Sequence, residues 1–247
     1  MRSNRCCGSA SAAELKPRSA LILLAAAAAL AMPLAFVPGP ASAQAQRDWS
    51  RTIVATPEGG FRMGNPAAAV KLVEFVSLTC PHCREFAASG ARQLVQNYVR
   101  SGRLSFEIRP FPLDAVASMA AQLNRCAPAA SAFALNDAIL AGQQTWFGRL
   151  TALSDQQIGE IERLPEAELR VRVAAITGLD AIAVRHGIPA ARVRSCLADE
   201  AGASRIAAIK AAGERLGING TPSFMINERV AQHVHDWAAL EPLLRGR

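Results

Sequence analysis

Cys80 and Cys83 enclose Pro81 and His82 in the stretch "VKLVEFVSLTCPHCREFAASG". Two thiols at that spacing have three uses. They supply half of a metal site, close a small structural disulfide, or exchange a disulfide with another molecule. A zinc site needs two more ligands at short spacing. The next cysteines, Cys126 and Cys196, lie far along the chain, and His233 and His235 are remote as well, so no metal is expected. A structural bridge across two residues closes too short a loop to gain much. Redox exchange needs a thiolate that is stable and reachable, and the surroundings of Cys80 provide for both. The apolar run Val70–Val76 ends just before it. Pro81 suits the first position of a helix, where its missing N–H leaves nothing unpaired. Cys80 is then the N-cap, facing free backbone N–H groups and the positive end of the helix dipole. His82 is placed to add charge or a hydrogen bond beside the sulfur. Cys83, one turn in, is the better-buried resolving thiol. A stabilised thiolate stabilises the reduced state, and a stable reduced state makes the oxidised protein a disulfide donor.

Two further residue types sharpen the redox reading. Glu74 stands six residues before Cys80 inside an otherwise apolar strand. Buried without a partner, it is held neutral and is able to trade a proton with Cys83. The alternative is a carboxylate turned to a rim and paired with Lys71 or Arg109. Thr221-Pro222 opens the apolar stretch "TPSFMIN", where a proline at a strand start is ordinary and a cis bond would mark a functional turn.

These residues must be positioned by strands and helices whose signals are legible. "RTIVATPEGGFRMG" reads as two short strands around a turn at residues 57–60. Val70–Val76 is a continuous apolar run, the pattern of a buried central strand. Phe86, Leu94 and Tyr98 form a helical stripe ending near Ser101 and Gly102, and "RLSFEIRPFP" is the next strand, stopped by Pro110 and Pro112. The order β-α-β predicts a parallel pair with a crossover helix. From residue 113 to 217 only helical patterns follow. Met119, Leu123 and Cys126 share one face, and Leu169, Val173 and Ile176 share another. Ser154 and Gln157 form a capping box, with Leu153 and Ile158 as its hydrophobic staple. Gly187 ends a short helix, Pro189 takes the first position of the next, and Ile206, Ile209 and Leu216 mark a long last helix. Strand signals return in "TPSFMIN", with "ERV" as hairpin partner, and "DWAALEPLLR" is a closing amphipathic helix.

The 247 residues begin with a basic segment (Arg2, Arg5, Lys16, Arg18) and an apolar run over residues 19–37. Pro38-Gly39-Pro40 and the small residues Ala41-Ser42-Ala43 follow. This is the pattern of a secretory leader over residues 1–43, cleaved after Ala43. The alternative is a retained membrane anchor. Without the leader's four basic residues and Glu14 the formal charge falls from +7 to +4. No basic run is interleaved with aromatics, so nucleic acid is not an expected partner. Cys6 and Cys7 depart with the leader. The remaining Cys80, Cys83, Cys126 and Cys196 are even in number, which in an exported protein favours disulfides over structural metal. A soluble exported chain with one sizeable core is expected.

CPHC after "VEFVSLT", the acid upstream, the helical insert and "GINGTPSFMIN" together resemble the DsbA-like thiol oxidases of the thioredoxin superfamily, over roughly residues 50–245. The resemblance implies an α/β thioredoxin fold with an inserted all-helical subdomain. A β-α-β first half spans 44–112, the insert 113–217, and a β-β-α second half 218–247. It implies that Pro222 is cis and lies against Cys80 and Cys83. It assigns Cys80 as the attacking cysteine, Cys83 as its partner, His82 as the tuning residue and Glu74 as the buried acid. Pro81, Thr221 and Pro222 border the substrate, with Thr221 offering backbone hydrogen bonds to an extended chain. It implies no cofactor, a monomer in the periplasm, reduced exported proteins as substrates, and reoxidation by a quinone-linked, DsbB-like membrane thiol oxidase. Thr221 stands where the simplest members carry valine, a choice shared with isomerase and reductase relatives. Cys126 and Cys196 lie on apolar stripes of the insert. They are either two buried free thiols acting as small hydrophobes or, as expected between packed helices in an oxidising compartment, a structural disulfide. The bridge requires Cα atoms within about 7 Å.

The leading reading is a periplasmic dithiol oxidase. The alternative is a monomeric periplasmic reductase or isomerase using the same cysteine pair. The isomerase relatives carry an N-terminal dimerisation domain, and the stretch between Ala43 and the first strands is too short to hold one.

Overall fold

Strands form where apolar and β-branched residues gather: β1 Ile53–Ala55, β2 Phe61–Gly64, β3 Val70–Val76, β4 Leu104–Pro110, β5 Ser223–Ile226 and β6 Arg229–Ala231. The computed structural model describes residues 47–245, so the expected leader over residues 1–43 lies outside the described residues. The strands make one sheet in the order β1-β2-β4-β3-β5-β6. β3 and β4 run parallel, with Val70 opposite Leu104 and Val76 opposite Pro110. The other neighbours are antiparallel. A parallel pair requires a crossover connection, and the helical segment after β3 provides it.

Register fixes what each face carries, because strand side chains alternate. Leu72, Glu74, Phe106, Ile108 and Phe224 share one face, and Lys71, Val73, Phe75, Glu107, Arg109 and Met225 the other. This parity decides between the two readings of Glu74. Lys71 and Arg109 point to the opposite side of the sheet and are out of its reach. Arg109 is instead taken by Glu107, with Nε donating to Oε1 at 2.8 Å.

The crossover opens with α1 Pro81–Ala88, continues in α2 Gly90–Leu94 and closes with a wider π-type turn at Val95–Val99. The single helix expected here is therefore bent, and Gly90 shows why. A Cβ on Gly90 would lie 2.8 Å from the Phe86 ring and from Cβ of Trp237, so the bare backbone must press against both. The chain turns out of helical geometry at Ser89 (φ −123°, ψ −64°) to bring it there. Phe86, Leu94 and Tyr98 are all buried, as the stripe requires.

The helical stretch comprises α3 Ala115–Cys126, α4 Ala132–Ala141, α5 Gln143–Thr151, α6 Asp155–Glu162, α7 Glu166–Thr177, α8 Leu179–Arg185, α9 Ala190–Leu197 and α10 Glu200–Arg215. The capping box of Ser154 and Gln157 is formed at the start of α6. Pro189 differs from expectation by one position: it is the N-cap of α9, in extended geometry (ψ 141°), rather than its first residue. Leu216 follows the end of α10 and is 47% exposed, so it is not part of the buried stripe carried by Ile206 and Ile209. Gly213 brings α10 against the sheet, since a Cβ there would lie 3.0 Å from the Phe111 ring.

Cys126 at the end of α3 and Cys196 in α9 are joined by a disulfide, with Cα atoms 6.4 Å apart. The expectation of a structural bridge is met. The two cysteines stand 70 positions apart in sequence, and closing a loop of that size removes entropy from the unfolded chain worth about 4 kcal/mol. Gln122 reinforces the same junction, donating from Nε2 to the Cys196 and Asp199 carbonyls at 2.6 and 2.8 Å.

β5 and β6 join through Asn227 and Glu228, both at positive φ (47° and 66°). A two-residue hairpin turn of this hand needs that conformation twice, so Glu228 belongs to the turn and the partner strand starts one residue later than "ERV". The closing helix is α11 Trp237–Leu244. It packs on the face that also receives α1, where Phe86 and Phe224 rings meet at 4.8 Å. Among the described residues no helix is long and apolar enough to cross a membrane.

Candidate functional site

Cys80 is the N-cap of α1 with φ −77° and ψ 124°, and Pro81 takes the first helical position. The backbone N–H groups of His82 and Cys83 have no intrahelical acceptor; the Cys80 side chain closes no cap hydrogen bond with them, but their nearness favours charge on its sulfur. Cys80 and Cys83 are both unbridged thiols. Cys80 retains 5% exposure and Cys83 none, so Cys80 is the sulfur within reach of another molecule. On the far side of the sulfur lies the Thr221–Pro222 bond, which is cis. The Cys80 thiol donates to the Thr221 carbonyl at 3.2 Å. The Thr221 hydroxyl is buried without a partner and is free to donate to the same sulfur once it is charged.

The two cysteines titrate in opposite directions. Cys80 is lowered to about 5. The largest cause is a hydrogen bond from Cys83. Burial works against it, and the Thr221 hydroxyl and the backbone N–H groups of Cys83 and His82 add to it. Cys83 is pushed well above the ordinary thiol range, first by burial, then by giving its hydrogen bond to Cys80 and by the charges of Glu74 and Cys80. Backbone amides, a neighbouring thiol and a hydroxyl favour charge on Cys80, whereas at Cys83 a single backbone hydrogen bond, from Ser77, works against burial and the neighbouring charges.

His82 does something other than expected. Its ring is exposed, and Nδ1 lies 3.3 Å from Oε2 of Glu85, also exposed. The backbone N–H of His82 is one of the groups that lower Cys80. Glu74 is 3% exposed and its Oε1 has no hydrogen-bond partner. Burial first, then the charges of Asp137 and Cys80, hold it well above the usual carboxylate range. A cavity of about 360 Å³ reaches Glu74 from the solvent side, walled by Phe106, Phe133 and Ile108 and by Arg92, Asn136 and Asp137.

Three residues at the site carried no functional expectation from sequence. His235 brings Nδ1 to 2.9 Å from the Pro222 carbonyl, tying the segment before α11 to the cis-proline loop. Asp114 caps α3 and accepts from Thr79 Oγ1 at 2.6 Å. An aspartate just before a helical stripe is a readable cap signal. Gln143 donates from Nε2 to the carbonyls of Leu78 and Cys80, each at 3.0 Å. Nothing in the spacing of Gln143 announces this contact. Among the described residues no three His, Cys, Asp or Glu side chains gather as a metal site.

A thioredoxin family model matches residues 56–245. The crystal structure of a protein-disulfide isomerase from Novosphingobium aromaticivorans is similar with a TM-score of 0.68 at 33% identity, covering 74% of this chain and 94% of that one. The crystal structure of alpha-DsbA1 from Wolbachia pipientis shares the fold, with a TM-score of 0.56 at 22% identity over 77% of this chain and 92% of that one. A protein of Rickettsia prowazekii, provisionally named a protein-disulfide oxidoreductase, is 28% identical over 167 residues, 67% of this chain and 53% of its own length. One of Rickettsia bellii with the same kind of name is 30% identical over 90 residues, 36% of this chain and 35% of its own length. The chain thus spans between a third and about half of the lengths of those curated relatives.

Proposed function

This chain belongs to the thioredoxin family, and on that premise we propose that it is a DsbA-type disulfide oxidoreductase that donates the Cys80–Cys83 disulfide to reduced proteins. The observation that carries the reading is the placement of Cys80 at the N-cap of α1, 3.2 Å from the Thr221 carbonyl of the cis-proline loop and ahead of the fully buried Cys83, an arrangement that favours charge on Cys80 and not on Cys83. In the oxidised protein a substrate thiolate attacks Cys80 Sγ, and the Cys80–Cys83 bond breaks. Cys83 leaves with the electron pair and takes a proton, for which neutral Glu74 is the buried donor. A second substrate thiolate attacks the substrate sulfur of the mixed disulfide, and Cys80 departs as its stabilised thiolate. Two substrate thiols have become a disulfide and the protein a dithiol. Pro81, Thr221 and Pro222 line the approach to Cys80, and an extended substrate strand would meet the backbone beside Thr221.

The working compartment in this reading is the periplasm, supported by the leader pattern over residues 1–43 and by the Cys126–Cys196 bridge, a feature of oxidising compartments. Reoxidation there falls to a quinone-linked membrane thiol oxidase. A reductase or isomerase working through the same pair is the second reading. It is favoured by Thr221 and by the isomerase name of the Novosphingobium relative. Direction separates the two. The oxidised protein mixed with one equivalent of a reduced two-cysteine peptide is expected to end as the dithiol, with the peptide oxidised. Recovery of the protein disulfide and the peptide dithiol would contradict the oxidase reading.

A further inference from the structure

The loop that carries Cys80 out of β3 is held from outside the sheet at two points. Thr79 Oγ1 donates to Asp114 Oδ2 at 2.6 Å, while Asp114 Oδ1 caps α3 by accepting from the Ala117 N–H at 2.7 Å. Opposite it, Gln143 spends both protons of one nitrogen on one loop, reaching the carbonyls of Leu78 and Cys80 at 3.0 Å each. Gln143 is 5% exposed, so these bonds have no competition from bulk water. Its own position is fixed. It opens α5 directly after Gly142, whose carbonyl accepts from the Trp146 N–H at 3.0 Å. Trp146 is 1% exposed and donates its indole N–H to the Ile139 carbonyl of α4 at 2.8 Å. The corner between α4 and α5 is thus a rigid mount for one amide.

We propose that Gln143 is a positioning residue for disulfide exchange, fixing from the helical insert the two carbonyls that flank Thr79 and so aiming the Cys80 sulfur at its donors. The proposal rests on the reading of Cys80 as the exchanging thiol. The Cys80 carbonyl also accepts the first helical bond, from the Arg84 N–H at 3.2 Å. With that carbonyl held from two sides, the peptide plane leading into α1 cannot rotate, and Sγ keeps only its own χ1 rotation. The sulfur then stays over the His82 and Cys83 N–H groups and within reach of Thr221. Without Gln143 the loop is still tied through Thr79 and Asp114, but the carbonyl of Cys80 is free to tilt toward another donor and carry Sγ off its amides. The insert thereby enters the reacting geometry. The titratable groups around Cys80 are Cys83 and His82 on α1, Glu74 on β3 with Asp137 of α4 beside it, Asp114 through Thr79, and His235 at the Pro222 carbonyl; Gln143 itself carries no charge.

The test is the rate of Cys80 alkylation by iodoacetamide against pH, in the full-length reduced protein, with thermal unfolding as a check on folding. Gln143→Met keeps length and packing but has no N–H. It is expected to move the alkylation midpoint up by about one pH unit, a tenfold weaker ionisation. Gln143→Lys keeps donors for both carbonyls and is expected to hold the midpoint at or below that of the parent. Should the methionine variant fail to fold, Gln143→Asn, too short to reach both carbonyls, is read in its place with the same expectation. A folded methionine or asparagine variant with the parent's midpoint and rate, or a lysine variant shifted upward like methionine, overturns the proposal. The alkylation midpoint is indifferent to the direction of exchange, so failure of the oxidase reading would leave this result standing.

Discussion

Replacing Cys83 with alanine is expected to stop turnover and leave the protein caught as a mixed disulfide through Cys80. The stabilised Cys80 thiolate still attacks a substrate disulfide: a bond forms between Cys80 and one substrate sulfur, and the other leaves as a thiolate. In the proposed exchange Cys83, one helical turn further along α1, attacks Cys80 Sγ and releases the substrate. That step is intramolecular and pre-aligned, so its loss is expected to slow release at least a hundredfold, to about the rate supplied by free thiols in solution. Non-reducing gels of Cys83→Ala after exposure to a disulfide-bearing protein should show a one-to-one adduct that dithiothreitol removes. The complementary Cys80→Ala should show none, because Cys83 is fully buried and its thiol is held protonated. An adduct on Cys80→Ala, or none on Cys83→Ala, would reverse the assignment of the two sulfurs.

The reduced protein is expected to gain stability relative to the oxidised one as pH rises from 4 to 7. Cys80 is depressed in the folded dithiol to about 5, against roughly 8.5 for an unfolded thiol. A depressed group stabilises fully above its unfolded value, and the contribution is lost as pH falls through the folded one. The window therefore runs from about pH 8.5 down to about pH 5. At pH 7 the folded thiolate lies about two pH units above its midpoint while the unfolded thiol is still neutral, worth about 3 kcal/mol. The oxidised form has no thiolate and lacks the contribution. Cys83, raised by burial, is neutral in both folded and unfolded chains over this range and drops out. Glu74, also raised, costs stability above the ordinary carboxylate value, but it does so in both redox forms and largely cancels in their difference. Denaturant unfolding of the two forms at pH 4 and pH 7 reads this directly. A difference between them that does not change with pH would contradict the thiolate account.

Much of this arrangement was legible in the residues themselves. Pro81 after Cys80 predicted the N-cap geometry because proline suits only the first helical turn. The uninterrupted run Val70–Val76 announced a buried central strand, and Glu74 stood out as a carboxylate in it. Local chemistry carries that far and no further. Whether Glu74 meets Arg109 depends on the register of β3 against β4, where Glu74 faces Ile108 and Arg109 faces Phe75. The bend at Ser89 depends on Trp237, which arrives from the far end of the chain. The pairing of the His82 ring with Glu85 at 3.3 Å, three residues on along the exposed face of α1, is the ordinary helical neighbour contact, and no pattern in the sequence says whether a residue at that position serves the sulfur or the surface. Gln143 was invisible for the same kind of reason. Its two carbonyl partners lie 65 and 63 residues away in sequence, and no periodicity encodes a contact between the corner of an insert and a loop of the sheet.

The direction of electron flow is tested most directly by the equilibrium potential of the Cys80–Cys83 couple against glutathione. Reducing thioredoxin, with its exchanging cysteine near 7, lies at about −270 mV, and DsbA, with its own near 3.5, at about −120 mV. Cys80, lowered to about 5, falls between them. Its extra stabilisation over thioredoxin, about 3 kcal/mol, is about 60 mV for a two-electron couple. The expected potential therefore lies between about −210 and about −120 mV. A value at or below about −270 mV would contradict donation of the disulfide and leave a reductase.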